Sequence, residues 1–188
     1  MYGSPVPQPP TSRACCWSVT PLPRVITKWP LTSSETGWPA HGLPRQACVA
    51  DPAFHVQLEA LLSQYTFTLV HFNNGLHGVG YTEEEYRAGY DKALKSIQKN
   101  SPSTKLVLAL STPLNETSQA NNLNPRVTER NRIVSELAKT YGAAVNDLHS
   151  ISKGHPEYYT DAYHYKAVAI ELQGKQVADT IKEQLKGK

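Results

Sequence analysis

The chain of 188 residues has little cysteine, little methionine and no long apolar run. No stretch approaches the roughly 18 apolar residues that a membrane helix needs, so no membrane segment is expected. The N-terminus lacks a basic stretch followed by an apolar one, so no signal peptide is read there. An excess of charge of one sign is also lacking. The formal net charge is +3, with a pI near 8.7. No Lys/Arg cluster has aromatic residues interleaved, so nucleic acid is not expected as a partner. The length suits one domain able to bury a core without disulfide or metal staples.

Charged residues are nearly missing from one end. Only five of the 35 lie in the first 50 positions, and that stretch holds all three cysteines (Cys15, Cys16, Cys48), all three tryptophans (Trp17, Trp29, Trp38) and nine of the 14 prolines. No helical or strand period runs through it. Residues 1–47 therefore read as non-globular and 48–188 as the folded domain. With every cysteine in or beside that segment, the count is silent about the redox compartment.

From Asp51 onward helices and strands alternate. Asp51 and Pro52 open a helix with Phe54, Leu58, Leu61 and Leu62 on one face. A β-branched and aromatic strand from Thr66 to Phe72 ends at the turn signal Asn73-Asn74-Gly75. Thr82 and Glu85 form a capping box for a helix whose apolar stripe is Tyr86, Tyr90, Ala93, Leu94 and Ile97. Lys105 to Leu110 reads as a strand buried on both faces. Asn124 and Pro125 open a third helix that Gly142 stops, and Ala143 to Asn146 is a third strand. The last helix is expected from about Tyr165 to Lys186, carrying Val168, Leu172, Val177, Ile181 and Leu185. This alternation predicts an α/β protein, a three-layer α/β/α arrangement around a parallel sheet. Ligands of such sheets bind beyond the carboxyl ends of the strands, here Asn73 to Gly78, Ser111 to Asn115, and Asp147 onward.

Asp161-Ala162-Tyr163-His164 lies in the loop before the last helix. Three residues of separation in a tight turn can set a carboxylate beside an imidazole nitrogen, fixing its tautomer and supporting the imidazolium formed in proton transfer. Alone the spacing says little, since chance supplies about 0.2 such pairs in a chain of this composition. Its context is Asn73-Asn74-Gly75-Leu76-His77-Gly78 at the end of an apolar strand, about 85 residues upstream.

Together these segments resemble the SGNH, or GDSL-type, hydrolase family over residues 51–186. Gly75-Leu76-His77-Gly78 matches the family's Gly-x-Asn-Asp block, and Asp161-Ala162-Tyr163-His164 its Asp-x-x-His block. The resemblance implies a flavodoxin-like sheet and a serine hydrolase of esterase type acting on a small-molecule ester or acyl substrate, with no cofactor. It implies that His164 is the base and Asp161 orients it. Two positions depart from the pattern. His77 stands where the family has the asparagine that donates to the oxyanion, and Gly78 stands where it has an acid. A neutral imidazole donates one hydrogen bond, so the oxyanion hole would comprise His77 and the backbone at Gly75. Asn73 and Asn74 are further candidate donors. A non-catalytic α/β binding module is the alternative, and a metal-dependent hydrolase using His77, Asp147, His149 and Asp161 is a weaker one. Asn115-Glu116-Thr117 matches a glycosylation acceptor but reads as a chance loop sequence.

The family's Gly-Asp-Ser block is absent, so the nucleophile is unknown. Ser4, Ser12, Ser18, Ser33, Ser34 and Ser63 lack a visible strand-then-turn setting. Reading the third base of each codon with the first two of the next turns Cys15-Cys16-Trp17 into two leucines. The junctions from Trp17 through Ile26 then permit Val-Gly-Asp-Ser-Ile-Thr-x-Gly-Tyr. Residues up to about 47 therefore read as translated out of frame, with the frame resuming near Ala47 to Asp51. On this reading the first strands are lost and Thr66 to Phe72 is left as an apolar open edge. The chain as it stands is then expected to be poorly stable and hydrolytically inactive.

Overall fold

In the computed structural model the described residues are 13–18, 47–65 and 67–186, the first of these by backbone alone. The elements are β1 (Arg13–Ser18), α1 (Pro52–Gln64), β2 (Phe67–Asn73), α2 (Glu83–Asn100), β3 (Lys105–Ala109), α3 (Asn124–Tyr141), β4 (Ala144–Asn146), the short α4 (Leu148–Ser152) and α5 (Ala167–Leu185). All strand pairs are parallel, in the order β1-β2-β3-β4.

The helices start where their side chains satisfy free backbone amides. Asp51 accepts from the Ala53 amide at 2.8 Å, and Thr82 and Glu85 exchange both bonds of a capping box. Gly142 ends α3 at φ 62°, in the left-handed region that favours glycine.

The sheet's alternation divides the core. Val70, Phe72, Leu106 and Leu108 face α1, α2 and α3, packing on Phe54, Leu58, Tyr86, Tyr90, Leu94 and Ile133. Leu69 and Val107 point the other way, onto Val177, Ile181 and Leu185 of α5. Helices thus cover both faces of one parallel sheet, the expected three-layer α/β/α architecture.

Several expectations change. The edge of β2 is paired, with β1 running along it from Arg13 opposite Phe67 to Ser18 opposite Asn73. Ladder bonds use only backbone groups, so a segment without a strand-like side-chain pattern can still supply them. Ser18 accordingly ends a strand. The strand lies inside the segment read as non-globular; residues 1–12 and 19–46, on which the rest of the out-of-frame reading falls, lie outside the described residues.

The last helix begins at Ala167, because Tyr165 is held in an antiparallel bridge with Tyr159 and Lys166 remains extended. Its stripe is also rotated. Ala169 packs on Tyr159 and Tyr165, which turns Val168 and Leu172 outward at 54% and 38% exposure.

Candidate active site

The Asp161 loop is a hairpin tied at its base. Tyr159 bridges Tyr165, the Thr160 amide donates to the His164 carbonyl at 2.8 Å, and the Lys166 amide donates to the Tyr158 carbonyl at 2.7 Å. At the tip, Asp161 Oδ1 accepts from the amides of Tyr163 (2.7 Å) and His164 (2.8 Å). The other oxygen, Oδ2, lies 2.6 Å from His164 Nδ1. The amide of Tyr163, then the ring and amide of His164, hold the Asp161 carboxyl below its usual range. A carboxylate at Nδ1 keeps the proton there and leaves Nε2 as the basic nitrogen.

Hydrogen bonds through Pro113 and Asn115 seat this hairpin on the loop after β3. Tyr159 Oη donates to the Pro113 carbonyl at 2.7 Å, and Tyr165 Oη donates to Tyr159 Oη at 2.8 Å. From the same loop the Asn115 amide donates to the Ala162 carbonyl (3.0 Å), and Asn115 Nδ2 to the Asp161 carbonyl (3.2 Å). Asn115, read from sequence only as a chance acceptor pattern, thus holds the tip of the hairpin.

The loop after β2 is built around Arg130, which is 3% exposed. Its guanidinium donates to the carbonyls of Gly75 (3.1 Å), His77 (2.7 Å) and Gly78 (3.0 Å), pairs with Glu83 at 2.7 Å and lies over the Tyr86 ring at 4.6 Å. Three carbonyls on one fork fix the course of the chain from 75 to 78. Arg130 was missed on sequence. Its signal was a charge inside the apolar stripe of α3, between Val127 and Val134.

Gly75 has a steric role, since a Cβ there would lie 1.6 Å from Ser111 Oγ. Gly78 has another. It sits at φ 76°, and a Cβ would come within 2.4 Å of Cys48 Sγ, so the family's acid has no room at this position. Burial pushes the His77 imidazole below its ordinary value, toward the neutral form, and Nε2 is buried without a hydrogen-bond partner among the described residues.

Asn73 and Asn74 have structural partners. Asn73 Nδ2 donates to the Ala109 carbonyl (2.7 Å) and Ser111 Oγ (3.1 Å). Asn74 accepts from the Val49 amide and donates to the Ala47 carbonyl, each at 2.9 Å. These amide donors therefore tie strands and loops together. Asn73 Oδ1, opposite the end of β1, is a buried acceptor without a partner among the described residues.

The metal alternative loses its ligand set. Asp147 caps α4, accepting from the Ser150 amide at 2.9 Å and the Ser150 hydroxyl at 2.6 Å. Among the described residues no three His, Cys, Asp or Glu side chains gather as a metal-binding group.

Between the two loops lies a pocket of about 60 Å³. Leu76, Val79, Leu114, Leu123, Val127 and Tyr163 supply its apolar wall, with Arg126 and Arg130 behind.

The fold is that of the SGNH, or GDSL-type, hydrolases. The chain is similar to a lipase/acylhydrolase from Enterococcus faecalis, with TM-score 0.67, 16% identity, and coverage of 94% of this chain and 98% of that one. It is also similar to a GDSL-like lipase from Bacteroides thetaiotaomicron (TM-score 0.63, 14% identity, 93% and 88% covered). An acetyl-xylooligosaccharide esterase from Geobacillus is a third such structure (TM-score 0.64, 11% identity, 90% and 94% covered). At these identities the likeness is one of fold. No protein-family model matches the sequence, and no curated protein matches it. Among the described residues, no helix is long and apolar enough to cross a membrane.

Proposed function

We propose that this fold is built for carboxylic ester hydrolysis, with His164 as general base and acid and Asp161 as the group that orients it. The observation that supports this most is the 2.6 Å contact between His164 Nδ1 and Asp161 Oδ2, at the carboxyl edge of a sheet shared with GDSL-type lipases. A serine hydroxyl adds to the ester carbonyl and its proton passes to His164 Nε2. The tetrahedral oxyanion is met by His77 and the backbone near Gly75, the alcohol leaves with the proton from His164, and water repeats the sequence to release the acid.

The serine belongs to the segment that follows β1. In the reading frame as it stands the family's Gly-Asp-Ser is absent there, and the shifted frame before about residue 47 permits it. Sequencing the coding DNA over codons 10 to 50 tests the frame. A p-nitrophenyl acetate assay tests the chemistry, with background turnover expected for the chain as given and turnover for the frame-restored chain. His164→Ala in the restored chain should lower kcat at least about a thousandfold.

Turnover by the chain as given would overturn the frame reading. If Ser18→Ala then abolished it, Ser18 at the end of β1 would be the nucleophile. A restored chain that folds and turns over nothing would leave a non-catalytic binding module.

A further inference from the structure

We propose that the pocket between the two loops holds a short apolar acyl chain, of about four to six non-hydrogen atoms, from an ester that carries no cationic group. This rests on the hydrolase reading, because that reading makes the ligand an ester. The pocket itself stands on separate observations.

Its walls join the two candidate loops. Gly75 and Leu76 come from the loop that would receive the carbonyl oxygen, and Tyr163 from the turn between Asp161 and His164. A chain attached to the carbonyl carbon is therefore the part of an ester placed to enter. Size limits that chain. One water-sized site takes about 10–15 Å³ of such volume, so a pocket of about 60 Å³ accommodates about four to six heavy atoms.

The lining sets its polarity. Leu114 and Val127 are 2% and 4% exposed and form a buried apolar floor. Val79 and Tyr163, at 54% and 39%, leave an apolar lip at the mouth. The two arginines are already engaged. Arg126 Nε pairs with Glu83 at 2.6 Å and its Nη2 donates to the Tyr81 carbonyl, while Arg130 is bound to Glu83 and three carbonyls. Two guanidinium groups against one carboxylate leave one positive charge on this wall, which repels a cationic substrate.

Binding of methyl esters from acetate to decanoate to the full chain as given, followed by amide chemical shifts, tests the proposal without requiring turnover. The amides of Leu76, Val79, Leu114 and Tyr163 should shift, with affinity rising to butyrate or hexanoate and flat beyond. Methyl hexanoate should bind at least threefold more tightly than hexyl formate, which carries its chain on the alcohol side. An acylcholine ester of the same acyl length should bind at least tenfold more weakly.

Leu123→Trp, at a half-buried position, fills the pocket and should weaken binding at least tenfold with the far-UV circular dichroism unchanged. Tyr163→Ala, at the exposed lip, should move the preferred length toward octanoate. Affinity that climbs steadily past octanoate, equal binding of hexyl formate, equal binding of the acylcholine ester, or a Leu123→Trp variant that binds as the parent does would each overturn the proposal. Length-selective binding with no turnover in the frame-restored chain would sink the hydrolase reading and leave the pocket standing.

Discussion

The loop after β2 and the hairpin before α5 meet at one edge of the sheet, yet they are held by different means. The hairpin is bonded largely within itself and rests on Pro113 and Asn115 through neutral hydrogen bonds. The loop from Gly75 to Gly78 follows the course set by Arg130, a buried cation on α3 more than 50 residues away. One element takes its shape from local sequence, and the other borrows it from a distant side chain. A neutral hydrogen bond contributes about 1 kcal/mol, whereas removing one partner of a buried ion pair costs about 3–5 kcal/mol. The loop after β2 is therefore the more easily broken by a single substitution.

Arg130→Met should give the largest effect, a loss of about 3–5 kcal/mol in urea denaturation. It leaves Glu83 to Arg126 alone and the carbonyls of Gly75, His77 and Gly78 without their donor. Arg130→Lys should recover less than half of that loss, because one ammonium cannot span three carbonyls and a carboxylate as a planar fork does. A loss below about 1 kcal/mol in Arg130→Met would show that the loop holds its own shape.

Acid should separate the two regions by pH. His71 in β2 is fully buried beside Asn146, with Nε2 3.0 Å from Asn146 Nδ2, and burial lowers its pKa from 6.5 to about 4. The unfolded chain takes up the proton below 6.5, and the folded chain resists until about 4. The His71 contribution is therefore full above pH 6.5, falls between 6.5 and about 4, and is level below that, with a total change of about 3 kcal/mol. Asp161 acts in a lower window. Its depressed carboxyl contributes stability above the ordinary carboxylate range, lost as pH falls through its folded value. Burial lowers the His55, His77 and His149 pKa values too, so denaturation midpoints across pH should show a first limb made much smaller by His71→Gln and a more acidic one reduced by Asp161→Asn. A first limb left unchanged by His71→Gln would assign it to the other buried histidines.

The same contrast explains what could be read in advance. Asp51, Thr82 with Glu85, and Gly142 act within a few residues of their own helices, so their local pattern identified them. Asp161 and His164 are three apart, and their pairing is likewise local. For Arg130 only a charge inside an apolar stripe was legible, and not its role, because its acceptors are carbonyls that only the folded chain gathers around it. Gly78 looked like a lost acid, yet its left-handed φ and the Cys48 side chain exclude any side chain. The pairing of β1 escaped for the reverse reason, because a ladder of backbone bonds leaves no mark on side-chain type. The rotated face of α5 follows from Tyr159 and Tyr165, two residues that precede the helix and claim Ala169.

Those tyrosines give the smallest and most diagnostic test of the comparison. Tyr165 Oη lies 3.1 Å from the Pro113 carbonyl while donating to Tyr159 Oη. Removing the Tyr159 hydroxyl allows Tyr165 to turn its proton onto that carbonyl, and removing the Tyr165 hydroxyl leaves the Tyr159 bond intact. Each single Tyr→Phe change should therefore cost about 1 kcal/mol or less. Tyr159→Phe with Tyr165→Phe strands the buried carbonyl, which costs about 1–3 kcal/mol, so the double change should exceed the sum of the singles. In the frame-restored chain the double variant should also lose kcat, because the hairpin it loosens carries Asp161 and His164. Strict additivity in the double-mutant cycle would mean that the hydroxyls act independently, with Asn115 left as the hairpin's tie to the loop after β3.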